Sequence, residues 1–287
     1  MRVWISDRFG RGRTVTREAA VQTPLRLDIR TANGHVKVIG IEGTSARVRA
    51  ELDVKGFHRD DDGPAEAEVA DGIVFEGDSL RIESPAGARD SLSVHYEVSV
   101  PFATMAILTA MNGAVEVRGI EGPLEVTLSN GPLDIEEIGG AVDVNLSNGP
   151  LRVERCRGIV DAKVSNGPIH IEDVAGPVDV SVHNGPISIE NVSAGIEARA
   201  TNGPVVYRGP VGGNFDMRSS RGGIVLELPS DSRFELDAEI ERGEVYSDFD
   251  VRDEAGAQFD EPVPRVVLRA DRGRIVVQQK ARAAASR

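Results

Sequence analysis

The 287-residue chain is short of several residue types, and each shortage excludes a class of protein. Its one cysteine excludes an internal disulfide and any multi-cysteine metal site. Aromatic residues make up only 4%, so the core must be thin and built from small aliphatic side chains. With 33 basic against 46 acidic residues, the net charge of −13 argues against nucleic acid or an anionic membrane surface as the main partner.

Long apolar runs are also missing. No stretch approaches the ~20 apolar residues of a membrane helix, so direct membrane insertion is not expected. The opening MRVWISDRFGRGRTV lacks the apolar segment and the cleavage site of a signal peptide. We therefore expect a protein that is soluble and cytoplasmic by default. The sequence also has no nucleophile elbow, phosphate loop or zinc motif, so no cofactor and no catalytic residue is predicted.

The sequence does contain a strict repeat. Each repeat holds two short runs that alternate apolar and polar residues, such as 133–136 and 142–146, which is the pattern of β-strands with one buried face. Glycines between the runs, such as Gly140 and Gly158, mark a second corner. Asn-Gly pairs begin the repeats at intervals of eighteen residues, at Asn112, Asn130, Asn148, Asn166, Asn184 and Asn202.

The proline after the Asn-Gly pair distinguishes an antiparallel meander, in which Asn-Gly closes hairpins, from a β-solenoid, in which each repeat is one coil. A two-residue hairpin needs the N–H group of the residue after glycine, and proline has none. This residue is proline in five of the six repeats: Pro132, Pro150, Pro168, Pro186 and Pro204. The repeats are therefore predicted to be coils of a solenoid and not hairpins.

The predicted fold is an all-β, single-stranded β-solenoid with two-sheet coils, and the general crossover rule favours a right-handed one. Continuing the in–out alternation through Asn148 places the repeated asparagines inside the corner. There they should form an internal ladder of amide hydrogen bonds that is structural in role. The glycine after each asparagine should adopt positive φ.

The regularity fades towards both ends, and we expect one elongated domain over 1–287. It divides into irregular N-terminal coils and cap (1–110), regular coils (111–220), irregular C-terminal coils and cap (221–277) and a frayed tail (278–287). Upstream strands are predicted near 45–54, 66–75, 79–84 and 91–100. Downstream, the Asn-Gly position is taken by Arg221-Gly222, Arg242-Gly243 and Arg272-Gly273.

The repeated N-G-P-[LI]-x-I-E, preceded by Val98-Ser99-Val100-Pro101 and ATMAILTAMNG, resembles a family of uncharacterised bacterial β-strand-repeat proteins grouped with the adhesins. The resemblance covers roughly 25–277. It implies a β-helical protein that is often associated with the cell envelope, without a catalytic motif.

Two acidic columns are predicted on the outer faces. One contains Asp143, Asp161 and Asp179, flanked by Glu125 and Glu197; the other contains Glu136, Glu154, Glu172 and Glu190, with Arg118 and Arg208 at its ends. Stacked like charges repel, so the aspartates are candidates for a cation-binding ladder. Otherwise the acidic columns serve solubility and edge protection. In that case Lys163, Arg199 and Arg152 lie nearby and reduce the repulsion. Cys156 falls in an apolar column and should be buried. The histidines (His35, His58, His95, His170 and His183) do not cluster in the sequence.

Three functions are compatible with these features. The first is a non-enzymatic, adhesin-like binding protein, envelope-associated or stress-linked, with a protein or glycan partner. The second is a scaffold that self-associates by stacking coil ends. The third, a polysaccharide-active β-helix enzyme, is the weakest because no residue pair breaks the regular pattern, as a catalytic site normally does.

Overall fold

A computed structural model describes residues 2–7, 13–54, 63–85, 92–249 and 263–279. The described chain is nearly all-β, with 69% strand and 3% helix, and forms a mostly parallel β-solenoid, which confirms the predicted fold class. Two compact units, Met1–Pro150 and Leu151–Arg287, are distinguished and are treated separately below. The expectation of one elongated domain stays a prediction.

The first unit begins with irregular strands and continues into regular coils. Its elements are β1 (Arg2–Asp7), β2 (Arg13–Ala20), β3 (Leu25–Asn33), β4 (Val36–Ile41), β5 (Ser45–Val54), α1 (Gly63–Asp71), β6 (Ile73–Glu76), β7 (Ser79–Glu83), β8 (Leu92–Pro101), β9 (Thr104–Asn112), β10 (Val115–Arg118), β11 (Leu124–Asn130), β12 (Leu133–Glu136) and β13 (Val142–Asn148).

Each regular coil contributes one strand before the Asn-Gly corner and one after it; we call the stacks of these strands sheet A and sheet B. In the first unit, sheet A has the parallel order β13–β11–β9–β3–β7, with β6 antiparallel to β7. Sheet B has the parallel order β12–β10–β4–β8, followed by the antiparallel strands β5, β2 and β1. The coil of β3 and β4 thus lies between strands that come much later in the chain.

The second unit also has two sheets of this kind, which are given the same letters. Its strands are β14 (Leu151–Glu154), β15 (Val160–Asn166), β16 (Ile169–Val174), β17 (Val178–Asn184), β18 (Ile187–Val192), β19 (Ile196–Asn202), β20 (Val205–Arg208), β21 (Phe215–Arg221), β22 (Ile224–Leu228), β23 (Glu235–Ser247) and β24 (Arg265–Gln279). Sheet A runs β15–β17–β19–β21–β24–β23, and sheet B runs β14–β16–β18–β20–β22–β24–β23. Because β23 and β24 bend through a corner, each belongs to both sheets.

The Asn-Gly corners explain the choice of glycine. Gly131 and Gly185 have φ values of 140° and 151°, which L-residues rarely adopt, so the prediction of positive φ is confirmed. The space is equally restrictive, because a Cβ atom on Gly131 would lie 1.9 Å from the carbonyl oxygen of Gly113. Glycine is therefore required at the corner by conformation and by the close stacking of coils.

The asparagine side chains form the predicted hydrogen-bonded ladders, one segment in each unit. In the first unit the Nδ2 groups of Asn112, Asn130 and Asn148 donate to the Oδ1 atoms of Asn33, Asn112 and Asn130 at 2.9, 3.0 and 2.9 Å. In the second unit Asn184 donates to Asn166 at 2.7 Å and Asn202 to Asn184 at 2.8 Å.

The predicted interior location of the ladder is wrong. Leu146 is buried, but Ser147 and Asn148 are both exposed, so the in–out alternation ends before the corner does. An exposed amide forms its hydrogen bonds in competition with water, which lowers the stabilisation from each bond.

Replacing Asn184 by alanine is expected to lower the free energy of unfolding by about 1–2 kcal/mol, because Asn184 is the donor of one ladder bond and the acceptor of the next. Urea unfolding followed by far-UV circular dichroism measures this change. Ser181→Ala, an outward position on the same strand, should change stability by less than about 0.5 kcal/mol. Equal effects of the two substitutions would show that the ladder adds no stability.

At the second corner, the residue in one equivalent position of several coils adopts the left-handed backbone conformation, which the sequence did not reveal. Glu137 in the first unit has φ 59°, and Arg155, Asp173 and Asn191 in the second have φ between 51° and 56°. This left-handed conformation costs roughly 1–2 kcal/mol for an L-residue. Gly119 occupies the equivalent place one coil before Glu137, with a φ of 73°, which shows that the corner, and not the side chain, sets the conformation.

The core is an aliphatic filling between the two sheets, as the shortage of aromatic residues predicted. Cys156 is 1% exposed and thus buried, as its column predicted. Among the described residues, the fully buried rings are Tyr96 in the first unit and, in the second, Tyr207 packed edge-on against Phe215. Burial raises the pKa of Tyr207 to about 12.

One predicted strand is wrong in its first half. Residues 66–71 belong to helix α1, and the strand β6 begins only at Ile73. The segment Ala65-Glu66-Ala67-Glu68 consists of strong helix formers, and Val69 is fully buried. The helix-forming residues outweighed the apparent alternation. The tail residues 280–287, and His58, lie outside the described residues.

No helix in the described part of the chain is both long and apolar enough to cross a membrane.

Candidate functional site

The outer face of sheet A in the second unit is covered by ion pairs. Lys163 lies 3.4 Å from Asp161, Arg199 lies 3.4 Å from Asp179, and Arg218 lies 2.8 Å from Asp216. Hydrogen bonds from Arg218 hold the pKa of Asp216 below its ordinary value. In the first unit, Asp143 accepts a hydrogen bond from Asn145 at 3.3 Å. Cation binding by Asp143, Asp161 and Asp179 stays a prediction, but each carboxylate already has a side-chain partner.

The second acidic column lies on the outer face of sheet B. In the second unit, Glu154, Glu172 and Glu190 are in register on neighbouring strands, as predicted. Arg208 then lies between Glu190 and Glu227, with nitrogen–oxygen distances of 3.0 Å to each. Alternation of charge relieves the repulsion at this end of the column.

At the other end of this column, Glu154, His170 and Glu172 place ligand atoms within 4.8 Å of one another. His170 Nε2 lies 3.4 Å from Glu172 Oε2. Glu154 also pairs with Arg152 and, at 3.3 Å, with Arg155. The two guanidinium groups supply the positive charge that a cation would bring, so this cluster is an ion-pair network.

The histidines do approach one another in one place. In the first unit, His95 Nδ1 accepts a hydrogen bond from the backbone N–H of His35 at 3.1 Å, because β4 pairs with β8. His35 also lies 3.5 Å from Glu116. Sequence spacing could not reveal this contact, since it depends on the out-of-order stacking of β3 and β4.

A column of apolar side chains on the outer face of sheet B is not explained by packing of the core. The outward positions of β20, β22, β24 and β23 carry Val206, Val225, Val276 and Tyr246, each in register with the next. We call these four residues the valine column. The three valines are partly exposed, and the Tyr246 side chain is 57% exposed with its hydroxyl donating to Asp248 at 2.8 Å.

The preceding strands show that this position does not require an apolar residue. Arg152, His170 and Ser188 occupy the same outward column on β14, β16 and β18. Apolar residues in adjacent outward positions add no core, and contiguous exposed apolar patches mark interaction surfaces. Ile107 and Met111 in the first unit are also exposed, at 48% and 55%, but they lie on a single strand.

The valine column could not be predicted from the sequence because its members are not evenly spaced. Val206 and Val225 lie on consecutive strands of sheet B, but β24 stacks before β23 although it follows β23 in the chain.

Comparison with known proteins gives little further information. No family model and no curated protein matches the chain. A solved structure from Clostridium sporogenes, described as a "putative cell adhesion protein", is similar with 13% sequence identity and a TM-score of 0.25. The match covers 92% of this chain and 99% of that one. A TM-score this low carries no argument, so the functional proposal depends on the surface itself.

Proposed function

We propose that the chain is a non-enzymatic, adhesin-like binding protein that engages a protein or glycan partner through the outer face of sheet B in its second unit. The observation that carries the proposal is the valine column, a run of apolar side chains on four adjacent strands where the regular coils have polar ones. The resemblance of the repeat to envelope-associated proteins supports a location at the cell envelope.

The chemistry of this face suits binding better than catalysis. The valine column gives a flat apolar strip with one aromatic side chain, and the charged column beside it is held in place by the pairs of Arg208 with Glu190 and Glu227. A preformed surface loses little conformational entropy when a partner binds. Aromatic side chains of this kind frequently dominate the energetics of interfaces.

The test is binding to a glycan array and to purified bacterial envelope polysaccharide. The variant combines Val206→Ser, Val225→Ser, Val276→Ser and Tyr246→Ser, because Ser188 already occupies this column. We expect affinity for the bound glycan to fall by about tenfold or more with little change in melting temperature.

The matched control is Ile107→Ser with Met111→Ser, which removes exposed apolar side chains from the first unit. It should leave binding unchanged. Absence of binding by the wild-type protein would contradict a glycan partner, and an equal loss in the control would contradict the apolar face as the binding surface.

A second function, self-association through coil ends, is supported by the last strand of the stack. Within the described residues β23 pairs only with β24. Its inward residue Val245 is 43% exposed, whereas the equivalent Ile275 on β24 is fully buried. A long edge strand with partly exposed inward residues can pair with another chain.

Sedimentation over a range of protein concentrations tests this second function. Dimers or longer assemblies that Val245→Lys dissociates would support coil-end pairing. A wild-type monomer at the highest concentration would exclude it.

A further inference from the structure

A column of arginines follows the asparagine ladder of the second unit. Arg221, Arg272 and Arg242 stand on β21, β24 and β23, each directly in register with the next. Arg221 is in register with Asn202 and donates a hydrogen bond to its Oδ1 atom at 3.1 Å. We call the three exposed residues the arginine column.

The corner does not require arginine. The preceding corners hold Asn166, Asn184 and Asn202, which stabilise one another by amide hydrogen bonds, and asparagine at the next three positions would extend that ladder. Arginines on neighbouring strands instead place like charges ~4.8 Å apart, which is unfavourable. The change therefore costs stability in the free protein.

Among the described residues, no acidic partner neutralises the arginine column. Several other arginines of this unit have acidic partners: Arg218 pairs with Asp216, and Arg265 with Asp237. Within the part of the chain that the structure describes, none of the arginine-column residues takes part in an ion pair. Asp271 and Glu241 precede two of them in the chain, and Glu244 pairs with Arg274 at 3.7 Å.

From this geometry we propose that the arginine column binds an anionic glycan, and this proposal rests on the proposed function of the adjoining face. Guanidinium groups bind carboxylate, sulfate and phosphate through paired hydrogen bonds. Three of them in a line along the stack suit a linear polymer with an anion on successive units. A polymer of this kind offsets the repulsion that the column carries when empty.

The valine column explains why the ligand is a sugar polymer. Tyr246 follows Arg242 by four residues on β23, and Val276 follows Arg272 by four on β24, so the two columns run side by side. A sugar ring can place its apolar face on this strip while its acidic group reaches the arginines.

The test uses immobilised polygalacturonate and dextran sulfate, with neutral dextran as the uncharged polymer, in biolayer interferometry. Both charged polymers should bind and neutral dextran should not, with affinity that decreases as salt increases. The variant Arg221→Asn/Arg242→Asn/Arg272→Asn restores the repeat residue at each corner. It should lose about tenfold or more in affinity while its melting temperature stays equal or rises.

The matched control, Arg199→Asn/Arg218→Asn/Arg265→Asn, changes the net charge equally but alters arginines that already pair with acids. It should keep affinity within about threefold of the wild type. Failure of both charged polymers to bind, or an equal loss in the control, would overturn the inference.

Two further outcomes separate this inference from the proposed function. Binding lost in the arginine variant but kept in the four-serine variant would support the arginine column and contradict the apolar face. Binding lost in the four-serine variant but kept in the arginine variant would contradict the anionic ligand and leave the proposed function standing.

Discussion

Gly131→Ala is expected to lower the free energy of unfolding of the protein by about 3 kcal/mol or more. At φ 140° an alanine is strained, and its Cβ atom would lie 1.9 Å from the carbonyl oxygen of Gly113 on the next coil. That oxygen belongs to the backbone, so relief requires the two coils to separate. Urea unfolding followed by far-UV circular dichroism measures the loss.

Gly43 offers a control that isolates the two causes. It has φ 115° in the same unit, but an added Cβ atom would have no neighbour within 4 Å. Gly43→Ala should therefore cost only the conformational part, about 1–2 kcal/mol. If the two substitutions cost the same, close coil stacking at the Asn-Gly corner would not be a determinant of stability.

Phe215→Ala is expected to destabilise the protein by about 3–5 kcal/mol, because it opens a cavity in a thin core. Phe215 is 1% exposed, and its ring centroid lies 4.8 Å from that of Tyr207. It occupies the column of Ile196 and Val266, so its ring fills the place that aliphatic side chains fill on the two neighbouring strands.

Phe215→Leu separates volume from aromatic contact. Leucine restores most of the filling, so the loss should fall to about 1.5 kcal/mol or less. Equilibrium unfolding of both variants against wild type gives the comparison. A loss below about 0.5 kcal/mol for Phe215→Ala, as at a surface site, would show that this coil is not packed as described.

The regular coils could be predicted from the sequence because local chemistry determines them. The missing N–H of Pro150 excluded a hairpin, and Gly149 indeed has a φ of 142°. The alternation of Val142 to Leu146 gave the buried face correctly. Each of these features acts within one repeat, so no long-range information was needed.

The location of the asparagine ladder could not be predicted, because alternation applies only within a strand. Ser147 and Asn148 are both exposed where the chain starts to turn, so a strand pattern extended through a corner places the last residue on the wrong side. The hydrogen bonds themselves follow from the eighteen-residue repeat and are present.

The place of Arg221, Arg242 and Arg272 at the corners could be predicted from the sequence, but the order in which their strands stack could not. β24 lies between β21 and β23 on one sheet and between β22 and β23 on the other. Only this order brings Val276 between Val225 and Tyr246, and Arg272 between Arg221 and Arg242. Nothing in the local sequence of 235–279 distinguishes it from an order that follows the chain.

Hydroxyl-radical footprinting in the presence of polygalacturonate tests the central claim, that the outer face of sheet B in the second unit is the binding surface. Tyr246 is 57% exposed and Met111 in the first unit is 55% exposed, so both should be oxidised readily in the free protein. With the polymer bound, oxidation of Tyr246 should fall to roughly half or less, because a bound ligand buries the surface it contacts, while Met111 is unchanged. Unchanged oxidation of Tyr246 together with protection of Met111 would contradict the claim.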